Sequence, residues 1–385
     1  MALRTALLLS CGLMAVTPAF AGTRDILIGL DEKVTYDSSG PITGPPGKDA
    51  VLVMNISNPT HPHIRASLSL MNSLLGPPTN LQITPDGKLG LVANSVVTTQ
   101  QAGTWKTVPD DKLYVIDLAA NPPKLADTLT IGQQPSGIAI NHKGDLALTA
   151  NRAGKSVSVL SIQNGKVTHV GDVSLGQEAA AVVITPDGKR AFICLNTVNK
   201  IAVLDIDGQK VTFDESLDIP SAFNPYNIDV TPDGKYVIAS NTGAMKDNGD
   251  AEVTIEATGP HPHVVSIMSP GNGPEGFAIS PNGKWAVTPL LLGTGAKSGE
   301  WFATKNGELV VMSIGHNGSL TVTGRAKLGA LPEGIAFSPN SEYVYVGNYI
   351  DQNVQVFRIS SGKPVQIGPA MKLPGQPASM RGPAR

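Results

Sequence analysis

Two glutamates stand in the same local context, Pro274-Glu275-Gly276 and Pro332-Glu333-Gly334. Carboxylates that converge from two such positions can hold a divalent cation such as Ca²⁺ or Mg²⁺ through hard oxygen ligands. They can also divide the work of general acid and general base. As a mere repeat sequence with each glutamate solvated, the same context would do neither. Ser136 and Tyr226 also follow a proline, and Glu178 lies two positions before Ala180, in a copy that has Ala179 where the others have Pro. Ser136, Glu178 and Tyr226 are therefore candidate ligand-binding neighbours of the two carboxylates. Trp105 and Trp301 lie in long stretches outside any repeated pattern, which suits a stacking or partner-binding rim.

Other chemistry-bearing residues carry less. His61-Pro62-His63 and His261-Pro262-His263 each offer two imidazoles, a common transition-metal ligand. They fall in loops far apart in the repeat, so exposed loops are the expectation, as for His142 and His316. Asn94, Asn151, Asn196, Asn241 and Asn348 recur at strand ends, where an amide caps loop backbone. No C-x-x-C-H, H-E-x-x-H, G-x-S-x-G or P-loop motif occurs, so covalent haem, zincin and nucleophile-elbow chemistries have no motif here.

The elements that must position these residues are set by a recurring turn. Ile184-Thr185-Pro186-Asp187-Gly188-Lys189 ends one strand and begins the next: Pro presets φ, Asp bonds its own backbone and Gly supplies positive φ. Full copies begin at Ile83, Val230 and Ile279, with weaker ones at Ile140 and Phe337. The spacing between copies, from 44 to 58 residues, is that of a WD40-like four-stranded propeller blade. Helical periodicity is absent. Insertions at Ser95 to Asp111, Thr242 to Asp250 and Leu291 to Asn306 fall between second and third strands, on the face that also carries the Gly-Pro segments and the two glutamates. Ahead of the repeats, Asp25 to Thr35, Ala50 to Ile56 and Ile64 to Leu70 read as strands, with a Gly/Pro-rich loop from Ser38 to Lys48. The C-terminal Lys372 to Met380 starts a repeat and stops. The two ends together make a seventh blade, which closes the ring without free edges. The expected fold is all-β, a seven-bladed β-propeller with four antiparallel strands per blade, its last blade shared by the N- and C-terminal segments.

Composition agrees. The 385 residues include 41 Gly and 30 Pro, which suit many short strands and turns. A net charge of −2 without a Lys/Arg cluster gives nucleic acid no electrostatic footprint. Arg4, the apolar stretch Ala6 to Val16 and Ala19-Phe20-Ala21 read as a secretory signal over 1–21, leaving 22–385 as one propeller domain, periplasmic or secreted. Cleavage removes Cys11, so Cys194 has no partner for an internal disulfide and reads as inert core.

Ala147 to Asn151 and Ser156 to Leu160, together with the T-P-D-G-K turns, resemble the YVTN-type repeat of exported bacterial propellers. They are also similar to the repeats of the seven-bladed lactonase superfamily, which includes 6-phosphogluconolactonase-like enzymes. The resemblance implies the fold. No motif here marks that family's catalytic groups, so none is carried over. Two functions follow as expectations. One is an exported binding or scaffold protein, a monomer with no membrane span, that presents Tyr226, Glu178, Ser136, Trp105 and Trp301 to a small ligand or a periplasmic protein. The other is a lactonase-like hydrolase that opens a sugar or other lactone with Glu275 and Glu333, assisted by a divalent cation.

Overall fold

Each turn is closed by its own side chains. Thr185 Oγ1 donates to Asp187 Oδ1 at 2.7 Å, and the same oxygen accepts the Lys189 N–H at 3.0 Å. The turns at Thr84 and Thr231 repeat the pattern, and Asn282 replaces the Asp in the copy at Ser280. Gly188 takes φ of 70°, the left-handed region closed to most side chains.

The computed structural model describes residues 24–244, 246 and 249–385. The turns join first and second strands in six of seven antiparallel sheets arranged as a propeller. Numbered from the first turn, the innermost strands are Leu81–Ile83, Pro135–Ile140, Val182–Ile184, Pro225–Val230, Ala278–Ile279 and Pro332–Phe337, for blades 1 to 6. Blade 7 takes its innermost strand, Pro377–Arg381, from the C-terminal segment. That strand pairs with Asp25–Leu30, and Ala50–Asn55 and His63–Leu68 follow outward. The seventh blade is shared by the two ends, as the truncated repeats imply.

The core lies between blades rather than inside one layer. One apolar cluster fills each blade-to-blade interface. Cys194 belongs to the cluster between blades 3 and 4, and burial pushes its thiol up. Inner strands approach closely because they carry glycine: a Cβ on Gly137 would meet Ala181 Cα at 2.8 Å.

The structure corrects the sequence reading in two places. The strand from Asp25 ends at Leu30, and Val34–Asp37 pairs with Gly40–Thr43 as a hairpin inside the expected loop. This hairpin is a fourth insertion between second and third strands, on the same face as the other three. The insertion from Ser95 to Asp111 is no loop: Leu89–Gln101 and Thr104–Asp117 form one long hairpin with Trp105 near its tip. The signal segment 1–21 and Cys11 lie outside the described residues. Among the described residues no helix is long and apolar enough to cross a membrane.

Candidate functional site

Five blades send side chains to the upper mouth of the central channel. Glu275 precedes the inner strand of blade 5, and Glu333 lies in that of blade 6. What brings the two together is Gly276, whose absent Cβ would stand 2.3 Å from the Glu333 carbonyl oxygen. Gly334 plays the same part toward blade 7, where a Cβ would meet Met380 N at 2.4 Å. The P-E-G context is thus a packing requirement that also seats two carboxylates side by side.

Neither glutamate is solvated. Glu275 is 7 % exposed and Glu333 2 %, and Glu333 Oε2 has no hydrogen-bond partner. Burial raises Glu275 to about 7, with Arg152 drawing it back down. Burial and then the Glu275 charge hold Glu333 well above the carboxylate range. Two buried carboxyls that act on each other's charge share protons as a unit. Near neutral pH the pair holds a proton on Glu333 while Glu275 titrates.

Around the pair stand Tyr226, which the sequence reading placed beside it, and Arg152 and Tyr36, which that reading missed. Arg152, directly after Asn151 at the top of blade 2, lies with its guanidinium carbon 6.0 Å from the Tyr226 ring centroid. Its Nε is 3.9 Å from Glu178 Oε2 and has no hydrogen-bond partner. Tyr226 in blade 4 is held protonated by burial and then by the Glu275 charge, with the Gly76 backbone N–H at its hydroxyl. Tyr36, on the hairpin of blade 7, is raised by burial, then by Glu333 and Glu275. It packs edge-on against Tyr349, centroids 6.0 Å apart. A basic residue just past a strand-end asparagine was visible in the sequence for Arg152. Nothing in the sequence singled out Tyr36.

The hairpin that carries Tyr36 is anchored at its base by a buried charge cluster. Lys33 Nζ bonds Asp49 and the Asn72 carbonyl and lies 3.1 Å from Asp31 Oδ1. Asp31 also accepts the Leu74 N–H at 2.7 Å, and Tyr349 Oη donates toward the Val34 carbonyl at 2.6 Å.

Glu275 sits on backbone that the sheet does not hold. The inner strand of blade 5 is only Ala278–Ile279, against Pro332–Phe337 in blade 6. Side chains replace the missing ladder. Asn227 Nδ2 donates to the Glu275 carbonyl at 3.2 Å, and Thr288 Oγ1 to that of Gly276 at 2.8 Å. Ser240 Oγ lies 2.9 Å from both the Pro274 carbonyl and Glu252 Oε1. Ser240 has one proton, so when it serves the carbonyl the Glu252 carboxyl must supply the other. Burial raises Glu252 to about 8, which keeps that proton in place at neutral pH.

The remaining candidates divide. Glu178 reaches the cluster through Arg152. Ser136 is buried, and its Oγ donates to the Gln134 carbonyl at 3.0 Å. Trp105 is half-buried on its hairpin, and Trp301 is 75 % exposed, edge-on to Phe302. Asn94, Asn241 and Asn348 bond backbone as expected, Asn151 bonds the Ser156 and Ser158 hydroxyls instead, and Asn196 Oδ1 has no hydrogen-bond partner. For a cation, the two glutamates are the hard donors on offer, and the Arg152 charge that acts on Glu275 would oppose a second positive charge there. Among the described residues no three His, Cys, Asp or Glu side chains group as metal ligands.

Residues 115–215 and 167–246 match the model of the lactonase family of seven-bladed β-propellers. No curated protein matches the sequence. Among solved structures, a presumed 6-phosphogluconolactonase from Bacteroides fragilis superposes with TM-score 0.70 at 17% identity, over 93% of this chain and 97% of that one. The periplasmic gluconolactonase PpgL of Pseudomonas aeruginosa gives 0.66 at 16% identity, over 93% and 98%. Hydrazine synthase of Kuenenia stuttgartiensis gives 0.60 at 17%, over 80% and 90%. At these identities the likeness is one of fold. The chain has a seven-bladed propeller architecture similar to that of these proteins, as its repeats imply.

Proposed function

We propose that this propeller is a lactonase-like hydrolase acting at the upper channel mouth on a sugar lactone or a related lactone. The observation that carries the reading is the buried pair Glu275 and Glu333, one carboxyl poised near neutrality and the other protonated, with Arg152 beside them. In this reading Glu275 takes a proton from water as the water oxygen attacks the lactone carbonyl. Arg152 stabilises the oxyanion of the tetrahedral intermediate, where a preorganised cation acts strongly in a water-poor site. Collapse breaks the ring ester bond and Glu333 gives its proton to the departing alkoxide oxygen, so the products are a hydroxy acid and a pair with its proton on Glu275; passage of that proton to Glu333 restores the starting state. Family likeness supports the choice of lactones, and the names of two superposed structures support sugar lactones.

The test is pH-stat hydrolysis of δ-gluconolactone by the chain from residue 22, beside Glu275→Gln and Glu333→Gln. Loss of turnover in both variants, with melting temperature kept, is expected. Full activity in both would remove the mechanism. A melt after chelation, with Ca²⁺ or Mg²⁺ added back, is expected to show no cation-dependent shift.

A second reading, an exported binding or scaffold protein, rests on Trp301, whose large apolar ring is mostly exposed on the same face. It predicts that Trp301→Ala and Trp105→Ala weaken a pull-down from periplasmic extract while the fold survives. In both readings residues 1–21 are a cleaved signal, and fractionation with detection of the mature N-terminus checks it.

A further inference from the structure

A cavity of about 620 Å³ occupies the lower end of the channel, away from the two glutamates. Its wall is mostly apolar, from residues such as Ile140, Val183, Ile184, Val230, Phe277 and Phe337, with Gln82, His142 and Asn227 among its polar members. One side is formed by residues 381–385. This segment runs along blade 1, where Ala384 N donates to the Ile83 carbonyl at 2.8 Å. It then sends Arg385 across to Asp229 Oδ2 at 2.8 Å and the Ile279 carbonyl at 2.5 Å.

One cationic side chain of this cavity has no ionic partner among the described residues. Asp229 is fully engaged, since it also accepts the Val230 and Ile279 N–H groups at 2.9 and 2.8 Å. Its charge is matched by Arg385. Arg381 is left over: its Nη1 donates to the Ile138 carbonyl at 2.7 Å, and among the described residues it forms no ion pair. A guanidinium carries five N–H donors in a fork that fits a carboxylate. Desolvation disfavours the charge of Arg381, and Arg385 adds to that effect while Asp229 opposes it. A guanidinium set among apolar walls with one carbonyl partner is short of an anion.

We propose that the lower channel is a second binding site, for a small organic monocarboxylate whose carboxylate sits on Arg381 and whose apolar body fills the space among the inner strands. The volume lies within the range of small-molecule sites. The Arg381 fork matches one planar carboxylate, and the mostly apolar wall suits an organic body better than a bare inorganic ion. The proposal stands independently of the hydrolase reading, because neither glutamate nor Arg152, Tyr226 or Tyr36 lines this cavity.

Calorimetric titration with phenylacetate and octanoate tests it, with phenylacetamide and inorganic phosphate as comparisons. Binding of at least one acid is expected, about tenfold or more tighter than the amide or phosphate, since a bidentate charged contact is lost in the first and the apolar contact in the second. Arg381→Gln should lose about the same factor, and Arg381→Lys, which keeps the charge for folding, should weaken binding by losing the fork. Glu275→Gln should leave the affinity unchanged. Amide binding equal to acid, no heat from either acid, or loss of binding in Glu275→Gln would each overturn the assignment. The amide comparison needs no variant, so a misfolded Arg381→Gln protein does not shield the idea.

Discussion

Arg152, from blade 2, places its guanidinium carbon 6.0 Å from the ring centre of Tyr226, from blade 4, and from there lowers the pKa of Glu275 on blade 5. A cation thus spans the channel mouth and tunes a carboxylate several blades away. If Glu275 is the general base, its ionised form is the active one. Removing Arg152 then raises its pKa and moves the acid limb of the kcat/KM profile to higher pH. Arg152→Ala is expected to show that shift with a loss of about 10²–10³-fold at the optimum, the scale of one lost oxyanion contact. A limb that stays in place would detach Arg152 from Glu275.

Stability should fall as pH rises from acid toward neutral. Glu275 and Glu252 have folded values of about 7 and about 8 against 4.5 for a free carboxyl. Between those limits the folded state binds more protons than the unfolded one, so stability declines with pH, and Glu333, held well above the carboxylate range, adds to the decline. Glu252→Gln removes the upper part of that decline, leaving a protein more stable than wild type by a few kcal/mol at pH 9. Urea unfolding at pH 5, 7 and 9 checks it, and parallel pH dependence in the two proteins would show that Glu252 is not buried as described.

Gly276→Ala is expected to cost about 1–3 kcal/mol, the range for overpacking a closed contact. The added methyl would also push the Glu333 backbone away and disturb the pair, so the acid limb of turnover should change as well. Gly171→Ala, which meets nothing within 4 Å, should stay within about 0.5 kcal/mol of wild type. Equal melting temperatures for the two variants would contradict the close approach of blades 5 and 6.

Lys33→Met leaves Asp31 and Asp49 buried without their cation. A loss of about 3–5 kcal/mol is expected, as for removing one partner from a buried ion pair. Because Lys33 anchors the hairpin that carries Tyr36, faster proteolysis within residues 34–43 should accompany it. A neutral substitution would mean that the hairpin is held by its apolar contacts alone.

The sequence by itself determined the parts built from neighbours in the chain. Each T-P-D-G turn closes through bonds between residues two to five apart, such as Thr185 to Asp187 and to Arg190. Local chemistry therefore declared the strand pairs, their repeat and the face of each insertion. Even the shared blade was legible, because an incomplete repeat at one end matched missing inner pairing at the other. The two P-E-G glutamates were found the same way, as equal positions in a repeat. Only the tertiary structure decided what those positions mean. It buried both carboxyls, and it brought Arg152 and Tyr36 to them across the ring, from positions 123 and 239 residues before Glu275. It also set Glu252 and Ser240 behind the unpaired stretch that carries Glu275. Those relations depend on which blades face each other and how closely glycine lets them approach. No local pattern encodes a distance across the channel.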